Sequence, residues 1–225
     1  MKAFFKALTS REDLWVRNFQ HEFDFNILFS QVLRRYSRHI APALIDGRIA
    51  TSPGEISWML FEYVDGVPLA KARVPGPGEL REDMVAPLID LLAALQALPT
   101  SPFLDSERHV SRFGPDRLIC KVAGYRPLVT RRFPQHTGTF SIGIERLSVA
   151  KRALGTGPQV LAHGDLIARN VLKTNGGFCL VDWEYACGSN VGLDAAIVWT
   201  TNTFEPDWRR DFLRKLHQTW AGARQ

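Results

Sequence analysis

The segment His163-Gly164-Asp165-Leu166-Ile167-Ala168-Arg169-Asn170 is the strongest constraint on how this chain can fold. Val160-Leu161-Ala162 leads into it and Val171-Leu172 leads out, so a polar loop is held between apolar runs. Phe178-Cys179-Leu180-Val181 then runs into Asp182-Trp183-Glu184, and Thr174-Asn175-Gly176-Gly177 in between has the composition of a hairpin turn. The loop therefore presents Asp165 and Asn170 together, and the hairpin returns Asp182 beside them. Two carboxylates and an amide oxygen at one spot are hard oxygen ligands. They suit magnesium, which keeps waters and substrate phosphates as its other ligands. Phosphoryl transfer uses such a set: the metal neutralises phosphate charge, and a separate carboxylate orients the attacking hydroxyl.

Residues 2–8 alternate weakly and are rich in Phe, which predicts a short strand. Ser10, Glu12 and Asp13 read as a helix start, with a cap and with acids at the positive end of the dipole. Trp15, Phe19, Phe23, Ile27 and Val32 keep helical spacing toward a stop before Pro42. Ala43-Leu44-Ile45 and Trp58-Met59-Leu60-Phe61 are candidate strands, and Asp65-Gly66 is read as a break. A Pro/Gly-rich loop at 73–78 precedes a helix from about Glu79 to Leu98, with Leu88, Leu91, Leu92 and Leu95 on one face. Residues 103–137 show no clear period, and helices are predicted over 139–153, 193–200 and 207–221. This order points to a two-lobed α+β protein, with lobes over 1–66 and 67–225, rather than a wound parallel sheet.

The 28 Lys and Arg against 23 Asp and Glu leave a net charge of only +5. No long basic run or reader motif accompanies it, so nucleic acid is not an expected partner. Cys120, Cys179 and Cys187 form no C-x-x-C pair. A zinc site from His163, Asp165 and Cys179 is disfavoured, because Cys179 alternates with Leu180 and Asp182 within an apolar strand. Lys6 and Arg11-Glu12-Asp13 interrupt any export signal, and no run reaches the ~18 apolar residues of a membrane span. A cytoplasmic protein without a membrane partner is expected.

His163-Gly-Asp165, four residues, Asn170, and Asp182 beyond a hairpin resemble the aminoglycoside phosphotransferase/choline kinase group of the protein-kinase-like superfamily. Asp182-Trp183-Glu184 stands where protein kinases carry Asp-Phe-Gly, and Gly188 with Leu193-Asp194 resembles the segment whose acid braces the catalytic loop. The resemblance implies a protein-kinase-like fold and an ATP- and magnesium-dependent transfer to a small-molecule hydroxyl. Asp165 would orient or accept the hydroxyl proton, Asn170 and Asp182 would hold magnesium, and His163 would organise the loop. Lys6, paired with Glu22, would meet the nucleotide phosphates, and backbone groups from Glu62 to Val64 would meet the adenine. Arg169 either reaches a phosphate or sits in solvent, and Glu184 is an extra ligand or an acceptor contact.

The family places a glycine-containing phosphate loop on strands ahead of its lysine strand. Here Lys6 stands near the start and no G-x-G-x-x-G motif occurs, so a small lobe shortened by that lid is expected. A late-start copy of a longer enzyme, a weak nucleotide binder, and a pseudokinase or regulatory module without turnover are all consistent with that. Between residues 105 and 153, ten Arg and Lys stand against four Asp and Glu. In the family this region shapes the acceptor pocket. Its basic excess argues against a polycationic aminoglycoside and leaves neutral or anionic hydroxyl compounds open, and a solvated helical face is the other reading.

Overall fold

In the computed structural model, residues 2–9, 12–36, 40–52, 54–71, 84–101, 115–155, 159–201 and 206–222 are described. The Ser10 cap, the loop at 73–78 and the helix start at Glu79 lie outside them.

Alternation along Trp58–Glu62 turns Met59 and Phe61 to one face, where they are 0% and 5% exposed and pack with Phe19. This strand, β3, is the centre of an antiparallel sheet between β1 (Ala3–Ala7) and β2 (Leu44–Arg48). Lys6 pairs with Met59 and Phe4 with Phe61, so Lys6 shares the inner face of the sheet. Helix α1 (Asp13–Tyr36) lies between β1 and β2 in sequence and turns Phe19, Glu22 and Asn26 inward, all three buried.

From β3 the chain passes through residues 63–65 into β4 (Gly66–Pro68). Gly66 therefore begins a strand and does not break the chain: β4 pairs with β6 (Val171–Thr174), which pairs with β7 (Gly177–Leu180) through the predicted hairpin. Three residues are too few to show a period, and Pro68 fits because β4 is an edge strand. Helix α2 (Val85–Gln96) buries Val85, Leu88, Ile89, Leu91, Leu92 and Leu95.

Residues 115–155, partly unreadable from sequence, are helical. They form α3 (Pro115–Gly124), α4 (Arg126–Arg132), a single 3-10 turn at Pro134–His136, and α5 (Thr137–Gly155). Pro127 and Pro134 start new elements, and no described side chain here is buried, so no apolar stripe marks the helices. Burial thus favours the solvated-face reading of this basic segment. Strand β5 (Gln159–Ala162) pairs with β8 (Cys187–Asn190), which the sequence hides because Cys-Gly-Ser-Asn has little strand preference. Helices α6 (Gly192–Thr201) and α7 (Pro206–Gly222) complete the described chain.

The main core joins Phe25 and Phe29 of α1 to α2, the β6–β7 hairpin, and Trp208, Phe212 and Leu216 of α7. Trp183 lies inside it at 1% exposure, with ring centroids 5.0 Å from Phe25, 4.6 Å from Phe29 and 4.5 Å from His163. Its Nε1–H donates to the Leu180 carbonyl at 3.1 Å. Trp183→Ala is expected to cost about 3–5 kcal/mol in denaturant unfolding; a loss below about 1 kcal/mol would contradict this central role.

Candidate functional site

Beyond β5 the chain turns at Gly164, whose φ is +79°. A Cβ there would lie 2.2 Å from the Tyr185 carbonyl oxygen, so this close approach requires glycine. The Asp194 carboxylate, in the first turn of α6, accepts the His163 N–H at 2.7 Å and the Gly164 N–H at 2.9 Å. Burial raises the Asp194 carboxyl to about 6 against these bonds.

The His163 ring is fully buried, and its Nε2–H donates to the Val181 carbonyl at 3.0 Å. Nδ1 then accepts the Asp165 N–H at 3.3 Å, which fixes the tautomer. Burial lowers the imidazole to about 4, so it is neutral near pH 7. Asn170 ends a 3-10 turn (Ala168–Asn170), and its Nδ2 donates to the Asp165 carbonyl at 3.0 Å and to Asp165 Oδ2 at 3.2 Å. The Asn170 carbonyl accepts the Val181 N–H at 3.0 Å, joining the loop to the residue before Asp182.

Asp182 has φ +69°, the one positive value among the described residues other than glycine. With Trp183 buried, its carboxylate turns out to Lys6. The Lys6 ammonium lies 2.6 Å from Glu22 Oε2 and 2.6 Å from Asp182 Oδ1, joining β1, α1 and the segment after β7. Burial alone would lower Lys6, but the charges of Glu22 and Asp182 outweigh it and hold the ammonium above its ordinary value. Burial pushes Glu22 up to about 7, with Lys6 pulling the other way. Burial and the charges of Asp182 and Asp165 raise Glu184, with Lys6 and Arg169 opposing.

Two cavities meet at this cluster. The first, about 460 Å³, lies under the small sheet and is lined by Phe4, Glu62, Val64 and Leu172 as well as by Lys6 and Asp182. The second, about 450 Å³, is lined by Asp165, Asp182, Glu184, Trp15 and Tyr185. The structure thus brings Lys6, Glu22, Asp165 and Asp182 to one place, with Asn170 behind Asp165 and His163 beneath the loop. Glu62 and Val64 line the first cavity, but the Glu62 N–H is donated to the Ala43 carbonyl and is not open to a ligand. Among the described residues, no three His, Cys, Asp or Glu side chains are placed to hold a metal ion by themselves. Cys179 is buried, and its thiol is pushed up to about 12 by that burial.

Sequence reasoning missed Trp15 and Tyr185 as cavity residues. Trp15 falls on the Phe19–Glu22–Asn26 face of α1 yet is 46% exposed at the cavity mouth, and that shared face was the available signal. It also missed His21, whose Nε2–H donates to the Ala186 carbonyl at 2.7 Å and ties α1 to the segment carrying Asp182.

A small antiparallel sheet over a mainly helical lobe, with a polar loop and a returning carboxylate between them, defines a protein-kinase-like α+β fold. Solved structures agree. The GDP complex of wild-type aminoglycoside 2'-phosphotransferase-IIIa superposes with a TM-score of 0.69 at 12% identity, covering 96% of this chain and 70% of that one. The GDP and kanamycin complex of APH(2")-IIia gives 0.67 at 16%, with 96% and 71% covered. A choline/ethanolamine kinase family protein from Mesorhizobium loti gives 0.56 at 15%, with 97% and 64% covered. No curated protein sequence matches. The sequence model of the phosphotransferase enzyme family, APH, matches residues 11–225, and the chain belongs to that family. That match begins after β1, so Lys6 is placed by geometry and not by the family pattern.

Gly164→Ala is expected to destabilise the chain by more than about 1 kcal/mol, because the left-handed φ and the Tyr185 carbonyl both oppose a Cβ. Gly143→Ala, with open space around it on α5, is the control and should be neutral or stabilising by up to about 1 kcal/mol in urea unfolding. A pH test isolates His163. Its folded pKa of about 4 lies below the unfolded 6.5, so its contribution is complete above pH 6.5 and is lost as pH falls toward 4. Glu22 and Asp194, raised, slope the opposite way, so the readout is a difference. The thermal midpoint of the wild type minus that of His163→Gln should shrink between pH 6.5 and 4; a flat difference would show that His163 is not buried neutral.

Proposed function

We propose that this chain is an ATP- and magnesium-dependent phosphotransferase acting on a hydroxyl of a small molecule. The observation that carries this reading is the Lys6 ammonium bridging Glu22 and Asp182 while Asp165 faces the same cavity. Family membership and the nucleotide complexes among the structural relatives support it. The donor chemistry fits magnesium: the carboxylates of Asp165, Asp182 and Glu184 line one cavity, and Asn170, bonded behind Asp165, would add its amide oxygen. Magnesium, when bound, neutralises phosphate charge.

The chain's own residues do the rest. Asp165 accepts the proton of the acceptor hydroxyl, held by the Asn170 amide. His163, neutral and buried, positions the loop and does not transfer the proton. Lys6, fixed by Glu22, meets the nucleotide phosphates, and the backbone of Val64 with the Glu62 carbonyl meets the base. The passage from β3 to β4 favours a lobe boundary near residue 66, with α1 shared through Phe25 and Phe29. No helix among the described residues is long and apolar enough to cross a membrane, and a cytoplasmic location suits an ATP-dependent reaction.

Nucleotide binding without turnover is the alternative that one experiment distinguishes from transfer. Magnesium-dependent thermal shift with ATP, then ADP release with a panel of hydroxyl compounds, separates the two. Asp165→Ala should lower kcat by about 10²–10⁴ while the ATP response persists. A wild type that releases ADP no faster than Asp165→Ala supports binding without turnover. Asp182→Ala should abolish the magnesium-dependent part of the shift, and an unchanged response would remove Asp182 from the site.

A further inference from the structure

Among the described residues, Lys6, Glu22, Arg169 and Asp182 line both cavities. Two are carboxylates, and the Lys6 charge is already shared between them at 2.6 Å. Of these four, Arg169 is the other cation. It is exposed, but its backbone is fixed, since Ala168 and Asn170 on either side are 4% and 3% exposed. The Asn170 N–H donates to the Ile167 carbonyl at 2.9 Å and closes the turn that carries Arg169. Asn170 also clamps Asp165, so one short turn carries both the Arg169 backbone and the partner of the Asp165 carboxylate.

We propose that Arg169 is a catalytic residue whose guanidinium contacts the phosphoryl group as it passes from the first cavity to the second. This rests on the phosphotransferase reading above. In the step, the acceptor oxygen forms a bond to the γ-phosphorus as the bond from that phosphorus to the bridging oxygen breaks. The nucleoside diphosphate leaves with the electron pair, and the hydroxyl proton goes to Asp165. Charge spreads over the three equatorial oxygens of the transferred group, and a guanidinium matches two of them at once with parallel N–H donors. Arg169 neither gains nor loses a proton.

The cavity's own charge calls for such a group. Asp165 and Glu184 line the second cavity as well as the Asp182–Lys6–Glu22 cluster, so among the described lining residues the transferred phosphoryl meets more carboxylates than cations. An arginine that lines both cavities lowers that barrier by offsetting the carboxylate charge where the two meet.

The test uses the full chain, Arg169→Ala and Arg169→Lys, with titration calorimetry of magnesium-ADP alone and with aluminium fluoride, which mimics the phosphoryl in transit. Phosphate release with water as acceptor is followed in parallel. For the wild type, fluoride should tighten ADP binding by about 100-fold or more, and Arg169→Ala should lose that gain while holding ADP alone to within about threefold. Arg169→Lys should recover only part of it, because lysine lacks the fork. Equal weakening of ADP with and without fluoride would make Arg169 a ground-state binder and overturn the proposal. An unchanged fluoride gain would leave it a solvent residue and overturn it equally. A wild type that binds no magnesium-ATP overturns the phosphotransferase reading itself, an outcome distinct from these two. Because Arg169 is exposed, both variants should keep the wild-type thermal midpoint without ligand.

Discussion

Burying the Trp183 indole sets the direction of the carboxylate beside it. The ring is held by Phe25 and Phe29 from α1 and by the His163 ring from the loop, and its N–H is satisfied by Leu180. With the ring drawn inward, Asp182 is forced into a left-handed backbone conformation and points the other way, toward Lys6. The backbone cost is about 1–2 kcal/mol, and a buried indole contributes more than that. The strain is therefore sustained by packing, as expected where a site is preorganised.

Below the site the polar groups are closely accounted for. Asp194 takes two loop amides, His163 takes one and gives one, and Asn170 spends its amide on Asp165. These bonds make a rigid floor in a low-dielectric setting, where each satisfied group counts for more and each lost one costs more. Above the site the arrangement is looser. The helical unit of residues 115–155 buries no described side chain and reaches the site where the Lys121 ammonium lies 5.8 Å from the Tyr185 ring centroid. The helical side of the cleft is thus built from surface residues, and the loop beneath it is built from the core.

Several elements were legible from residue pattern. Alternation around Met59 and Phe61, the helical spacing of α2, and the Thr174–Gly177 turn all predict what is found, because each is a local preference that tertiary packing reinforces. Strands β4 and β8 were not legible: three and four residues with Gly, Pro, Cys or Asn carry no period, and they exist because neighbouring strands offer unpaired backbone. The helices of residues 115–136 were hidden for a related reason, since an exposed helix needs no apolar stripe.

The chain's order of residues determined by itself that Asp165 and Asn170 share a loop and that a hairpin returns Asp182 to it, because those constraints act over fewer than twenty residues. It also made Lys6 and Glu22 candidate partners. Only tertiary structure decided that Lys6 bridges Glu22 and Asp182, that the Glu62 amide is already taken by Ala43, and that Arg169 stands where two cavities join. Those relations connect groups up to 176 positions apart, and no local propensity reaches across that distance. They are settled by how α1 and the small sheet pack over the loop, with Trp183 as the fixed point between them.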